Sequence, residues 1–332
     1  MKMALVGFGN VGKAVAQVML EKREVLQKIG FNPEVVAILE KDGSWIDEKG
    51  LKLQEILSLG KSSPAWKSNT VSKEIIPELD CELIVEMTVT NIEHGEPGLT
   101  HIKEALTSGK DVVTSNKGPL VLAFPELMDI AEKKHRILLY EATVGGAIPL
   151  FYVAREALLV NEIISITGIL NGTSNYILTK MTEERISFNA ALREAQERGY
   201  AEADPTYDIE GIDAAAKLVI LANGILKMKR RFSEVQIQGI TNVTPEMIEL
   251  AMDDGYLVKH IGYVDRNRIE VMPRLIPQGS PLAVGGTLNV ISFHTDVAED
   301  ITLIGRGAGP RETSSAILGD ILYINKVRKS ER

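Results

Sequence analysis

Five carboxylates, Glu202, Asp204, Asp208, Glu210 and Asp213, lead into a single lysine, Lys217, set in the apolar run IDAAAKLVILAN. Ile212, Ala215, Ala216, Leu218, Val219, Ile220 and Leu221 make a helix that is apolar on nearly every side, which predicts burial. A buried ammonium is costly unless it is paired. Asp213 lies at i−4, on the same helix face, where it can orient the lysine and keep it charged. A positioned ammonium stabilises negative charge building on an oxygen and delivers a proton. The same pair also serves as a purely structural bridge, and the carboxylates before it as a solvated acidic loop.

A second constellation opens the chain. Met3 to Val6 form a short apolar run that leads into GFGNVG, residues 7–12, and then into an amphipathic helix. Gly7 permits the tight turn, Gly9 lets backbone approach a pyrophosphate, Gly12 allows helix to pack on strand, and Asn10 and Val11 open the helix whose N-terminus faces the phosphates. A second apolar run, Glu34 to Leu39, completes a βαβ unit and ends in Glu40, Lys41 and Asp42. A carboxylate there suits the ribose 2′-hydroxyl of NAD, a cation the 2′-phosphate of NADP. The segment offers both and does not choose between them.

These groups need a scaffold, and the patterning predicts one. Strands at Leu83 to Met87, Asp111 to Thr114 and Ile137 to Tyr140 alternate with helices from about Gly98 to Ser108 and ending near Lys134, which predicts an α/β fold with a doubly wound parallel sheet. Thr88, Thr90 and Asn91, and then Ser115, Asn116 and Lys117, follow apolar strands, so both clusters should face the cofactor crevice. Lys117 is expected directly at a strand end, with Gly118 and Pro119 stopping the extension. The Gly-, Ser- and Lys-rich insert from Gly43 to Val71 reads as surface loop around one helix near Leu53 to Leu59.

After Glu141 the pattern changes. ATVGGAIPLF is a glycine-rich hinge, followed by a strand at Ile163 to Leu170, helices through the Lys217 segment, and strands at Val235 to Gln238, Leu257 to Val264, Ile269 to Ile276 and Leu288 to Phe293. This predicts an α+β second domain with a mostly antiparallel sheet, whose open face a homodimer would cover. Gly305, Gly307 and Gly309 precede a helix from about Glu312 to Lys326 that either returns to close the cofactor crevice or follows a flexible joint. The expected boundaries are 1–141 for the dinucleotide domain, 142–304 for the substrate and dimerisation domain, and 305–332 for the returning helix.

Composition narrows the class further. A net charge of −8 and no basic stripe argue against a nucleic-acid partner, and no apolar stretch reaches the length of a bilayer span. No signal peptide precedes the first strand, and Cys81, the only cysteine, cannot form an intramolecular disulfide, so a cytoplasmic protein is expected. Its five histidines show no metal-ligand spacing.

GFGNVG at 7–12, TSNKGPL at 114–120, EATVGGAIPL at 141–150, GILNGTSNYILTKM at 168–181 and GYAEADPTYDIEGIDAAAKLVIL at 199–221 together resemble homoserine dehydrogenase, from Met3 to about Val327. The resemblance implies reversible reduction of L-aspartate 4-semialdehyde to L-homoserine with NAD or NADP, in threonine, methionine and isoleucine biosynthesis. It makes Lys217 the proton carrier, with Lys117 its partner at the substrate oxygen and Asp213 beside it. It also places Glu202 and Asp208 at the substrate with Thr173 and Tyr200 around them, and Thr88, Ser115, Lys117 and Gly307 at the cofactor. A monovalent cation, usually sodium, would sit on backbone carbonyls of Glu141, Val144, Gly146 and Ile148, and Gly146 stands where many relatives have alanine. Only six residues follow Lys326, so neither a fused aspartate kinase nor an ACT domain is expected. A thiol mechanism, as in aspartate-semialdehyde dehydrogenase, would need a nucleophilic cysteine, and Glu82 beside Cys81 disfavours the thiolate. A dinucleotide sensor without chemistry would have no need of Lys117, Asp213 and Lys217.

Overall fold

A computed structural model describes residues 1–331. The chain folds as two compact units, Met1–Thr143 joined by the stretch from Gly309 onward, and Val144–Ala308.

The first unit runs β1 (Lys2–Val6), α1 (Asn10–Glu21), α2 (Arg23–Lys28), β2 (Glu34–Glu40), β3 (Gly43–Ile46), α3 (Leu53–Leu59), β4 (Lys67–Ser68), α4 (Ser72–Ile75), β5 (Leu83–Glu86), α5 (Gly98–Thr107), β6 (Asp111–Thr114), α6 (Lys117–Lys133) and β7 (Leu138–Leu139). Its sheet has the order β4-β3-β2-β1-β5-β6-β7. The five strands from β2 to β7 in that order are parallel. KMALV, LIVE and DVVT are almost wholly buried, as strands covered on both faces must be. The chain turns one way from β1 to β2 and the other way to β5, so the switch point lies between β1 and β5.

The insert is more ordered than expected. Gly43–Ile46 adds an antiparallel strand to β2, and Lys67–Ser68 pairs with it in turn. Ser44 and the Trp45 indole are buried, so this segment extends the sheet instead of decorating its surface. The C-terminal helix runs Pro310–Ser330, longer than expected at both ends, and buries Ile317, Ile321 and Ile324 in the same core as Val15 and Met19 of α1.

The second unit runs α7 (Leu150–Tyr152, continued by a π-helical turn), β8 (Ile163–Ile169), α8 (Gly172–Glu184), α9 (Phe188–Glu197), α10 (Thr206–Ile209), α11 (Ile212–Gly224), β9 (Gln236–Ile237), α12 (Pro245–Asp253), β10 (Tyr256–Val264), β11 (Ile269–Pro277), β12 (Leu288–Thr295) and β13 (Asp300–Arg306). The sheet order is β13-β12-β8-β10-β11-β9, antiparallel except where the two-residue β9 lies beside β11. The residues before Gly307 are therefore a strand and not a loop. DITLIGR pairs with β12 over seven positions, Gly305 opposite Asn289. From α11, Ala214 through Gly224 are all buried. Tyr176, Ile177, Leu178 and Met181 of α8 pack with Ala191 and Ala195 of α9 in a core of this unit.

Candidate functional site

The switch point of the first unit is built around Gly7. Its φ is +89°, and a Cβ there would lie 2.7 Å from the Met87 backbone; one on Gly12 would lie 2.4 Å from the Gly7 carbonyl oxygen. No atom lies within 4 Å of the corresponding position on Gly9, which leaves backbone open to a ligand. Gly9 precedes α1 without any side-chain cap, so the first N–H groups of Asn10 and Val11 meet no side-chain cap. Such a turn fits a dinucleotide pyrophosphate.

At the end of β2, Glu40 accepts a hydrogen bond from the Phe8 N–H at 2.7 Å, tying the carboxylate to the glycine turn. Lys41 is exposed, whereas the Lys61 ammonium stands 3.6 Å from Glu40 and 2.6 Å from Asp42. The insert thus brings up a lysine that its loop-like composition concealed. The Asp42 carboxylate is held below its ordinary range by that contact.

The two polar clusters after β5 and β6 converge. Asn116 Nδ2 donates to Thr88 Oγ1 at 3.3 Å and to the Val89 carbonyl at 3.1 Å. Its Oδ1 caps α6 by accepting from the Gly118 N–H at 3.1 Å. Lys117 therefore begins a helix and does not end a strand. Pro119 is tolerated because the first helical N–H groups have no intrahelical partner. Gly118 passes so close to the Asn91 carbonyl that a Cβ would lie 2.2 Å from it. Ser115 is anchored through its N–H to the Glu86 carbonyl at 3.1 Å.

In the second unit the Asp213–Lys217 pair forms as the spacing predicts, at 2.6 Å, with side chains 16% and 10% exposed. Lys217 also donates to the Leu170 carbonyl at 2.8 Å, where β8 has just ended. Asn171, the next residue, was hidden in the sequence. Its Nδ2 bridges Asp208 at 2.6 Å and Asp213 at 2.9 Å, while its Oδ1 caps α8 at the Ser174 N–H. An asparagine directly before Gly172 and Thr173 is the helix-cap signal that marks it. Burial, with Asp213 nearby, holds the Asp208 carboxyl above its ordinary range.

Thr173 donates to the Tyr200 carbonyl at 2.8 Å, and the Tyr200 ring lies against Tyr176. Glu202 is exposed, and its carbonyl is held by Gln196 at 3.2 Å. Gly307 follows β13, with the Asn289 carboxamide directly against it. Val144, Gly146 and Ile148 are buried in the second unit, Gly145 and Gly146 both at positive φ; Glu141 is buried in the first. Among the described residues no group of three or more His, Cys, Asp or Glu could hold a metal ion. No helix among them is long and apolar enough to cross a membrane. Burial pushes the Cys81 thiol up to about 11, which leaves it a poor nucleophile.

A parallel sheet with a glycine turn at its switch point, and a second unit carrying a buried aspartate–lysine pair, define a nicotinamide-dependent oxidoreductase. Residues 7–141 match the family described as homoserine dehydrogenase, NAD binding domain, and residues 149–322 that described as homoserine dehydrogenase. A homoserine dehydrogenase of Methanocaldococcus jannaschii is 47% identical, over 99% of this chain and 100% of its own. An NAD(+)-dependent homoserine dehydrogenase of Pseudomonas canavaninivorans is 37% identical, over 99% and 98%. Among solved structures, a homoserine dehydrogenase from Thiobacillus denitrificans is similar at a TM-score of 0.87 and 31% identity, over 99% of this chain and 74% of that one. A hyperthermophilic archaeal homoserine dehydrogenase in complex with NADPH is similar at 0.83 and 29%, over 97% and 96%. The chain belongs to the homoserine dehydrogenase family.

Proposed function

We propose that Lys217 carries the proton in the family's reaction, the reversible reduction of L-aspartate 4-semialdehyde to L-homoserine. The observation behind this is the placement of its ammonium, buried and held between the Asp213 carboxylate and the Leu170 carbonyl. Those two acceptors leave its third N–H available for a substrate oxygen. Reduction builds negative charge on that oxygen, and a pre-oriented ammonium stabilises the charge and gives up a proton. Asp213 holds the ammonium in place. In the reverse direction the neutral amine takes the hydroxyl proton of homoserine. The family likeness also gives Lys117, at the start of α6, a role toward the substrate.

The substrate is an amino acid, so its ammonium calls for a carboxylate and its carboxylate for N–H donors. Glu202 and Asp208 supply the first, and the capped start of α8 around Thr173 the second, with Tyr200 beside them. The dinucleotide supplies or accepts the hydride when bound. Gly7, Gly9, Asn10, Val11 and Gly12 hold its pyrophosphate, Thr88, Ser115, Lys117 and Gly307 its remaining parts, and Glu40 its adenosine ribose. Glu40 favours NAD, and Lys61 is the cation that a 2′-phosphate would recruit. The same reading gives the turn from Val144 to Ile148 a sodium ion on its backbone carbonyls, and a homodimer through the open face of the second sheet.

A turnover assay tests the activity. L-homoserine is offered with NAD and with NADP, with and without sodium, and reduced nicotinamide is followed by its absorbance. Reduction of either is the expected outcome. Folded protein that binds a dinucleotide yet reduces neither would remove the assignment of substrate.

A further inference from the structure

Glu86 is the last residue of β5, paired with Val6 of β1 on one side and Thr114 of β6 on the other, and it is 0% exposed. Its carboxyl accepts from the Thr88 N–H at 3.0 Å, from the Thr114 hydroxyl at 3.0 Å, and from the Thr88 hydroxyl. The direction of these bonds follows from Asn116. The Asn116 N–H donates to Thr114 Oγ1 at 3.0 Å and its Nδ2 to Thr88 Oγ1 at 3.3 Å, so each hydroxyl has its own proton left for Glu86. Three donors on its two oxygens are the set an ionised carboxyl calls for. His101 Nδ1 lies 3.9 Å from it, and among the described residues no lysine or arginine forms an ion pair with it.

A negative charge is thus stored dry, at the C-terminal end of a strand bordering the switch point. A dinucleotide there lays its pyrophosphate on the glycine turn of β1 and one half over β2, where Glu40 stands. Its other half then runs over β5 and β6, toward Thr88 and Ser115. The two redox forms of that half differ in charge, because the oxidised nicotinamide ring is cationic and the reduced ring neutral. A fixed carboxylate in a low-dielectric surround distinguishes them.

We propose that Glu86 is a positioning residue of the nicotinamide site whose buried charge makes the protein bind the oxidised cofactor in preference to the reduced one. This rests on the assignment of the first unit to a dinucleotide. Charge and shape are separated by Glu86→Gln. Dissociation constants of NAD and NADH, or of the NADP pair if that binds better, are measured by calorimetry without substrate. The variant should raise the constant for the oxidised form about tenfold and that for the reduced form less than about twofold. Equal weakening of both forms, the result of a purely structural role, would overturn the proposal, as would no change in either. Should the Gln variant fail to fold, Glu86→Met combined with Thr114→Val removes the charge together with one of its donors, and the same ratio is read. Wild-type protein that binds neither form would instead overturn the dinucleotide assignment.

Discussion

Lys217 shows how much of its proposed role depends on the groups around it. The same ammonium without Asp213 and the Leu170 carbonyl would be an unpaired buried charge, which folding does not tolerate. Lys217→Ala should lower kcat by about 100-fold or more while leaving the dinucleotide dissociation constant unchanged, because it removes proton transfer and not cofactor binding. Steady-state kinetics together with a binding titration read both, and turnover like that of the unaltered protein would take the lysine out of the mechanism. Glu40 and Lys61 form the second informative pair. Glu40→Arg should shift the ratio of kcat/KM for NADP over NAD upward, and Lys61→Glu should shift it downward. If neither moved it, the 2′ position would be recognised elsewhere.

Asn171 stands where a strand end, a helix cap and the acidic pair meet, so its effect belongs to the elements around it. It satisfies the start of α8 and separates the charges of Asp208 and Asp213. Asn171→Ala should cost about 1 kcal/mol of stability from the lost cap, seen as a lower Tm, and should also depress kcat. A lower Tm with unchanged kcat would confine Asn171 to capping. Elements of this kind divide by how their signal is written in the chain. β1, β5 and β6 were legible because strands buried on both faces are continuous apolar runs, and the Asp213–Lys217 pair because i and i+4 meet on any helix. β3, β4 and β13 were not legible as strands. Each is an edge or an edge neighbour whose residues carry weak preference, and pairing with β2 or β12 decides their state. Lys61 was lost with them, since its approach to Glu40 depends on how the insert folds. Asn171 was lost because its two carboxylate partners lie 37 and 42 residues away in the chain. Lys117 was expected to end a strand and instead begins α6, because the stop signal of Gly118 and Pro119 also reads as the first turn of a helix.

At the scale of the whole molecule, acid stability turns on a buried histidine. His260 is 2% exposed on β10, its Nε2 against the Gln238 carbonyl, and burial pulls its pKa from 6.5 down to about 4. The folded protein therefore holds a neutral imidazole that the unfolded chain would protonate. A depressed folded-state pKa contributes stability that is fully present above 6.5 and is lost as pH falls toward 4. Over that window His260 should remove on the order of 3 kcal/mol, and His260→Phe should flatten the curve of unfolding free energy against pH. Denaturant midpoints at several pH values check this; an unchanged slope would assign acid sensitivity to other groups. The sheet of the first unit and the helix Pro310–Ser330 share one core, although the whole second unit is encoded between them. The ribosome therefore releases the glycine turn first and the helix that completes its core last. The second unit is contiguous in the chain and able to finish folding while the nucleotide-binding unit still waits for Ile317, Ile321 and Ile324. In a nascent chain, the unit translated first is the one that matures last.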